Sequence, residues 1–144
     1  MSSSPRVCFY DVAPEGRWPL LVRLAQAAWQ KRLRFLILCR DRDEARAVDE
    51  LLWTFEEQAF LPHELVEGAH PEDPEARIVI TTAEHDPIGA TILFQLTPAS
   101  EAFARRFETV IDLVDHRDPE RLAASRQRFR AWRDAGSSPD YRPG

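Results

Sequence analysis

The chain has 144 residues, a formal net charge of −5, 44% hydrophobic and 30% charged residues; that suits one globular domain with a core needing no metal or disulfide staple. The acidic total argues against general nucleic-acid binding, which calls for a basic footprint. No apolar run approaches the ~20 residues of a membrane span. The opening Met1-Ser2-Ser3-Ser4-Pro5 lacks the basic and apolar regions of a signal peptide, so a cytoplasmic protein without membrane association is expected.

In chain order, Val7 to Val12 is a β-branched and aromatic run that predicts a first strand, closed by the punctuation of Pro14 and Gly16. Leu20, Leu21, Leu24, Ala25, Ala28 and Trp29 recur at helical spacing between Trp18 and Lys31. Phe35 to Cys39 is a continuous apolar run of strand length, the mark of a strand buried on both faces. Asp41 suits a helix N-cap with Glu44 three residues on, and that helix extends to about Trp53. A link from Thr54 to Leu65 and a proline-bearing loop from Glu67 to Glu75 follow. Further strands are expected at Arg77 to Thr82, Thr91 to Leu96 and Thr109 to Val114, with a short helix from Ser100 to Phe107. A last helix starts near Pro119, which a first turn tolerates. The ends, about 1–4 and 137–144, carry no apolar periodicity and are expected to fray. Alternating strands and helices define a single α/β domain of 1–144, a Rossmann-like, mostly parallel sheet with helices on both faces.

Such sheets often bind nucleotides, yet the first strand–helix turn reads Asp11-Val12-Ala13-Pro14-Glu15-Gly16, with one glycine and two acids. Neither phosphate-binding glycine motif occurs. Asp41 could hold a ribose, but an N-cap accounts for it more simply. A nucleotide-dependent enzyme is therefore the alternative reading, resting on fold alone. His63, His70, His85 and His116 are scattered without ligand spacing, so no metal site and no cofactor is expected. Glu84-His85-Asp86 suits a solvated loop. Cys8 and Cys39 sit in strand-like runs and read as small buried hydrophobes.

Two stretches stand out. From Arg117 to Asp134 six arginines face three acids on an otherwise acidic protein. On the helix, Leu122, Phe129 and Trp132 share a face with Ser125, and Arg126, Arg130 and Arg133 form a stripe beside it. Such a stripe is either a solvated basic side or a site for an acidic peptide, whose carboxylates guanidinium groups hold while apolar neighbours take a hydrophobic anchor. In Leu51 to Leu65, Trp53, Phe55, Phe60 and Pro62 form a dense apolar group that serves as core or as interface.

At these stretches the chain resembles a known family, the chi subunit of bacterial DNA polymerase III holoenzyme. The resemblance runs through Phe9-Tyr10, the DELLW segment of Asp49 to Trp53, the FLPH segment of Phe60 to His63, the VIDLV strand of Val110 to Val114, and the closing arginine helix near Ala135-Gly136. It implies a non-enzymatic, Rossmann-like accessory protein of DNA replication that links the acidic C-terminal tail of single-stranded DNA-binding protein to the clamp loader through the psi subunit, touching DNA only indirectly. By position, Val114, Arg126 and Phe129 match the family's tail-binding residues, with Arg121 a further candidate. Trp53 and Phe60 match its psi-contacting surface.

Overall fold

Among the described residues seven strands, every neighbouring pair parallel, form one sheet in the order β3-β4-β2-β5-β6-β1-β7. The structure is a computed structural model describing residues 4–55 and 61–143. Its strands are β1 (Arg6–Val12), β2 (Phe35–Leu38), β3 (Glu64–Leu65), β4 (Ile78–Thr81), β5 (Ile92–Gln95), β6 (Thr109–Asp115) and β7 (Asp140–Pro143). The helices are α1 (Arg17–Gln30), α2 (Arg42–Thr54), α3 (Glu101–Ala104) and α4 (Pro119–Asp134), and a 3₁₀ turn at Pro14–Gly16 leads into α1. The central strands β2 and β4 are buried at every position, as strands covered on both faces must be.

The direction of winding puts helices on both faces. From β1 the chain moves across the sheet through α1 to β2 and through α2 to β3; from β5 it moves the opposite way through α3 to β6 and through α4 to β7. A parallel crossover is right-handed, so opposite directions place the two helix pairs on opposite faces. Two cores result. Leu21, Ala25 and Ala28 of α1 and Val48 and Leu52 of α2 pack on Phe35, Ile37, Ile80 and Phe94. On the other face Phe103 of α3 and Trp132 of α4 pack with Phe9, Leu36, Leu93 and Val110. Ile37 and Leu36 face opposite cores because side chains alternate along a strand. The α/β, Rossmann-like expectation holds, with a sheet that is parallel throughout.

Local chemistry sets the helix starts. Asp41 accepts the Glu44 backbone N–H at 2.9 Å, and the Glu44 carboxylate accepts the Arg40 N–H at 2.8 Å, so the reciprocal cap reaches one residue further back than expected. Ser100 caps α3, which is only four residues long rather than reaching Phe107. Glu84 ties to the Ser100 N–H and hydroxyl at 2.7 and 2.6 Å, His85 Nε2 lies 2.9 Å from the Ala69 carbonyl oxygen, and Asp86 accepts the Ala90 N–H at 2.8 Å. Each member of that acid–histidine–acid triplet holds a loop. Both cysteines are buried free thiols, as small core residues.

Two strands escaped the sequence. β3 is a two-residue extension paired to β4. More consequentially, the fraying expected at 137–144 is corrected by β7, which pairs with β1 in parallel from Cys8↔Asp140 to Asp11↔Pro143. Gly136, at φ +97°, supplies the left-handed turn after α4, and the Ser137 N–H closes it on the Trp132 carbonyl at 3.1 Å. The chain is thereby sent back along the open edge of β1.

Candidate functional site

β1, β6, α4 and β7 frame a surface groove of about 530 Å³. Phe9 and Asp11 face it from β1 because they lie two residues apart on one strand. Val114 faces it from β6, and Tyr141, the register partner of Phe9, from β7. The fourth side is α4, which offers Arg126, Phe129, Arg130 and Arg133. Phe129 meets Phe9 edge to face, with ring centroids 5.3 Å apart at 69°. The floor is thus apolar and the helix rim cationic.

A buried polar network fixes the height and angle of that helix. Asp112, 2% exposed, stands in the apolar strand β6. Its carboxylate accepts from Arg128 Nε at 2.7 Å, Arg128 Nη2 at 3.0 Å, Gln95 Nε2 at 2.8 Å and the Leu113 N–H at 2.7 Å. Ser125 adds a second tether, its hydroxyl accepting the Asp115 N–H at 3.0 Å while donating to the Arg121 carbonyl at 2.9 Å. Arg128 is therefore a seat for α4.

The remaining arginines divide. Arg117 forks onto Asp115, with Nη2 to Oδ2 at 2.6 Å, and Arg121 binds Asp118 at 2.5 Å. Among the described residues, Arg126 and Arg130 form no ion pair, and Arg133 reaches only Asp134 at 3.8 Å. These three line the groove. The structure thus brings Val114, Arg126 and Phe129 together and sets Arg121 elsewhere, in a crevice of about 180 Å³ at the carboxyl ends of β2, β5 and β6. That crevice is where a Rossmann-like sheet would take a nucleotide. Its Arg40, Arg117, Arg121 and Arg128 are each joined to an aspartate.

Among the described residues that line the groove, Asp11 is the one carboxylate. It accepts hydrogen bonds from the Tyr141 hydroxyl and from the His116 ring. The Tyr141 bond holds its carboxyl below the ordinary carboxylate range, against the opposing effect of burial, with His116 and Arg126 adding to the depression. The same bond raises the Tyr141 phenol. Sequence reasoning found the Arg126–Arg130–Arg133 stripe but missed Phe9, Asp11, His116 and Tyr141. Alternation along β1 and its pairing with β6 and β7 unite those four, and no spacing within one element signals the whole set.

A pH dependence follows at the neighbouring pair. Burial raises the Asp115 carboxyl, but the hydrogen bonds and charge of Arg117 outweigh it, and the net result is below the ordinary value. A carboxyl lowered in the folded state contributes stability above its unfolded pKa of about 3.9 and loses it as pH falls through the folded value. Urea unfolding of wild type and Asp115→Asn at neutral pH and near pH 3 is expected to show a shallower acid loss in the variant.

A second surface lies at the opposite edge of the sheet. Trp53, at the end of α2, is 49% exposed and rests on the buried His63, ring centroids 4.3 Å apart. His63 Nδ1 lies 2.7 Å from the Leu61 carbonyl oxygen and Nε2 3.1 Å from the carbonyl oxygen of Asp49, which pins the chain after Leu61 to α2. Arg77 stacks 3.9 Å over Trp29 nearby. Phe55 packs at the edge of the first core, so the apolar stretch divides between core and surface. Phe60 lies outside the described residues. Among those residues no helix is long and apolar enough to cross a membrane.

Fold and groove define a class: a parallel α/β domain in which the last helix and an added edge strand enclose a cationic, apolar-floored groove. Comparison with known proteins narrows it. Residues 5–140 match the family model described as DNA polymerase III chi subunit, HolC, and the chain belongs to that family. It is 32% identical over 134 residues to DNA polymerase III subunit chi of Pseudomonas aeruginosa, covering 91% of each chain. It is 31% identical over 117 residues to the Escherichia coli subunit, covering 81% of this chain and 78% of that one. Among solved structures, a DEAD box protein from Methanococcus jannaschii superposes with a TM-score of 0.61 over 96% of this chain and 42% of that one. At 13% identity that likeness concerns the fold alone.

Proposed function

We propose that this chain is a non-catalytic accessory subunit of the replicative polymerase, cytoplasmic, whose groove holds the acidic C-terminal tail of single-stranded DNA-binding protein. Its second surface, around Trp53, joins the clamp loader through psi or an equivalent component, a contact to which the family resemblance also assigns Phe60, and DNA is reached only through these partners. The observation that carries the reading is the set Arg126, Arg130 and Arg133 around the Phe9–Phe129 floor. Guanidinium groups lacking a close internal carboxylate bind external ones, and an aromatic floor takes an apolar side chain. Seven strands put roughly 29 Å between the two sheet edges at ~4.8 Å per strand, room for two partners at once.

Calorimetry with a synthetic tail peptide tests this. Arg126→Ala is expected to weaken binding roughly tenfold, and added salt to weaken the wild type further. A peptide without its terminal phenylalanine is expected not to bind. Equal affinity for wild type and Arg126→Ala would remove the groove from the tail site. Arg121 has a smaller claim, being joined to Asp118 outside the groove, and Arg121→Ala is the internal comparison.

A further inference from the structure

The groove is chemically unequal along its length. Helix α4 links β6 to the parallel β7 by way of the sheet face, so it runs against the strands. Arg126, next to the Ser125 that holds the Asp115 N–H, therefore stands at the carboxyl ends of β1 and β6. Arg133 is seven residues on, about 10 Å further at ~1.5 Å per residue. The Phe9–Phe129 pair lies between these ends. Asp11, the register partner of Val114, belongs to the Arg126 end. Its side chain is 26% exposed and accepts hydrogen bonds from the Tyr141 hydroxyl and the His116 ring. Held by those two partners, it forms no ion pair with Arg126 among the described residues. The Tyr141 bond is the main reason its carboxyl is low, and the charge of Arg126 contributes.

A fixed carboxylate in a groove for acidic peptides is a repulsive element, and specificity is built from such elements as much as from attractive ones. Like charges brought together in a partly desolvated site are strongly disfavoured. At one end Asp11 offsets the charge of Arg126, which leaves room for one further carboxylate and not for a cluster. At the other end Arg130 and Arg133 meet no carboxylate across the groove among the described residues. We propose that Asp11 restricts the groove to peptides whose acidic residues lie on one side of the apolar anchor. The anchor then rests on the Phe9–Phe129 floor, the acidic run lies over Arg130 and Arg133, and no acidic cluster is admitted at the Asp11 end. A chain terminus meets that requirement, because its one terminal carboxylate is all that lies beyond the anchor. Tyr141 and His116 are positioning residues that keep the Asp11 carboxylate in the groove rather than on Arg126. The inference rests on the reading of the groove as an acidic-peptide site, and it adds the residue that tells a terminal anchor from one inside an acidic segment.

The test uses two labelled peptides of equal net charge, both capped so that their ends are neutral, with fluorescence anisotropy on the full chain as the readout. One places four aspartates before a single phenylalanine and glycines after it; the other places two aspartates on each side. Wild type is expected to bind the one-sided peptide about tenfold more tightly. In Asp11→Asn, which keeps the shape of the side chain and loses its charge, the two affinities should come within about twofold, through tighter binding of the two-sided peptide. Misfolding cannot imitate that result, because it is a gain of binding. An equal affinity for both peptides in wild type, or a preference that survives unchanged in Asp11→Asn, would overturn the role of Asp11. The groove itself would still stand if Arg126→Ala weakened both peptides. No binding of either peptide to wild type, or binding indifferent to Arg126→Ala, would overturn the groove as a peptide site and the inference with it.

Discussion

Asp112→Ala is expected to lower the free energy of unfolding by about 3 kcal/mol, the lower end of the cost of breaking a buried ion pair. The side chain of Asp112 is 3% exposed and that of Arg128 23%, so the substitution strands a largely desolvated guanidinium that still has some access to water. It also strands the Gln95 amide, which donates to the same carboxylate. Urea unfolding would measure the loss as a lower midpoint at an unchanged slope. Arg126→Ala, on the same helix but without a carboxylate partner, should unfold as wild type does. A wild-type midpoint for Asp112→Ala would mean that packing of Trp132 and Ser125 alone seats α4. The groove should suffer as well, since α4 supplies three arginines and Phe129.

That network shows where the sequence was legible and where it was not. Strands at Phe35 and Ile78 announce themselves as apolar runs because both their faces are covered, and the caps at Asp41 and Ser100 by their chemistry. The two faces of α4 follow from spacing: Ser125 and Trp132 are buried, and Arg126, Arg130 and Arg133 are exposed. Arg128 was counted with the surplus charge although Asp112 marked it. A carboxylate inside an apolar strand needs a buried cation or donor, and an arginine on the helix that follows is the nearest supply. The pairing of Arg121 with Asp118 was likewise readable from its i, i+3 spacing. Nothing local marks β7. Asp140-Tyr141-Arg142-Pro143 has no apolar alternation because it is an outer strand exposed on most sides, and its partner lies more than a hundred residues earlier. Its structure is decided by the free edge of β1, a property of the assembled sheet.

Removal of residues 138–144 is accordingly expected to act twice. It uncovers the backbone donors and acceptors of β1 from Cys8 to Asp11 and takes away one wall of the groove. Loss of an edge strand that covers Cys8 should destabilise the domain by about 2 kcal/mol. Tail-peptide affinity should drop by more, because Asp11 loses the Tyr141 hydroxyl and its carboxylate is left to compete for Arg126. Tyr141→Ala separates the two effects. Tyr141 is 57% exposed, so its truncation costs the fold little, whereas a tyrosine beside the Phe9–Phe129 floor is the kind of aromatic rim that concentrates binding energy. Calorimetry with the tail peptide is expected to show an affinity ten- to thirtyfold lower, about 1.5–2 kcal/mol, with an unchanged melting temperature. Tyr141→Phe keeps the ring and gives up only the bond to Asp11, and should fall between the two. Full affinity in Tyr141→Ala would place the bound peptide on α4 and β6 alone and return β7 to a purely structural role.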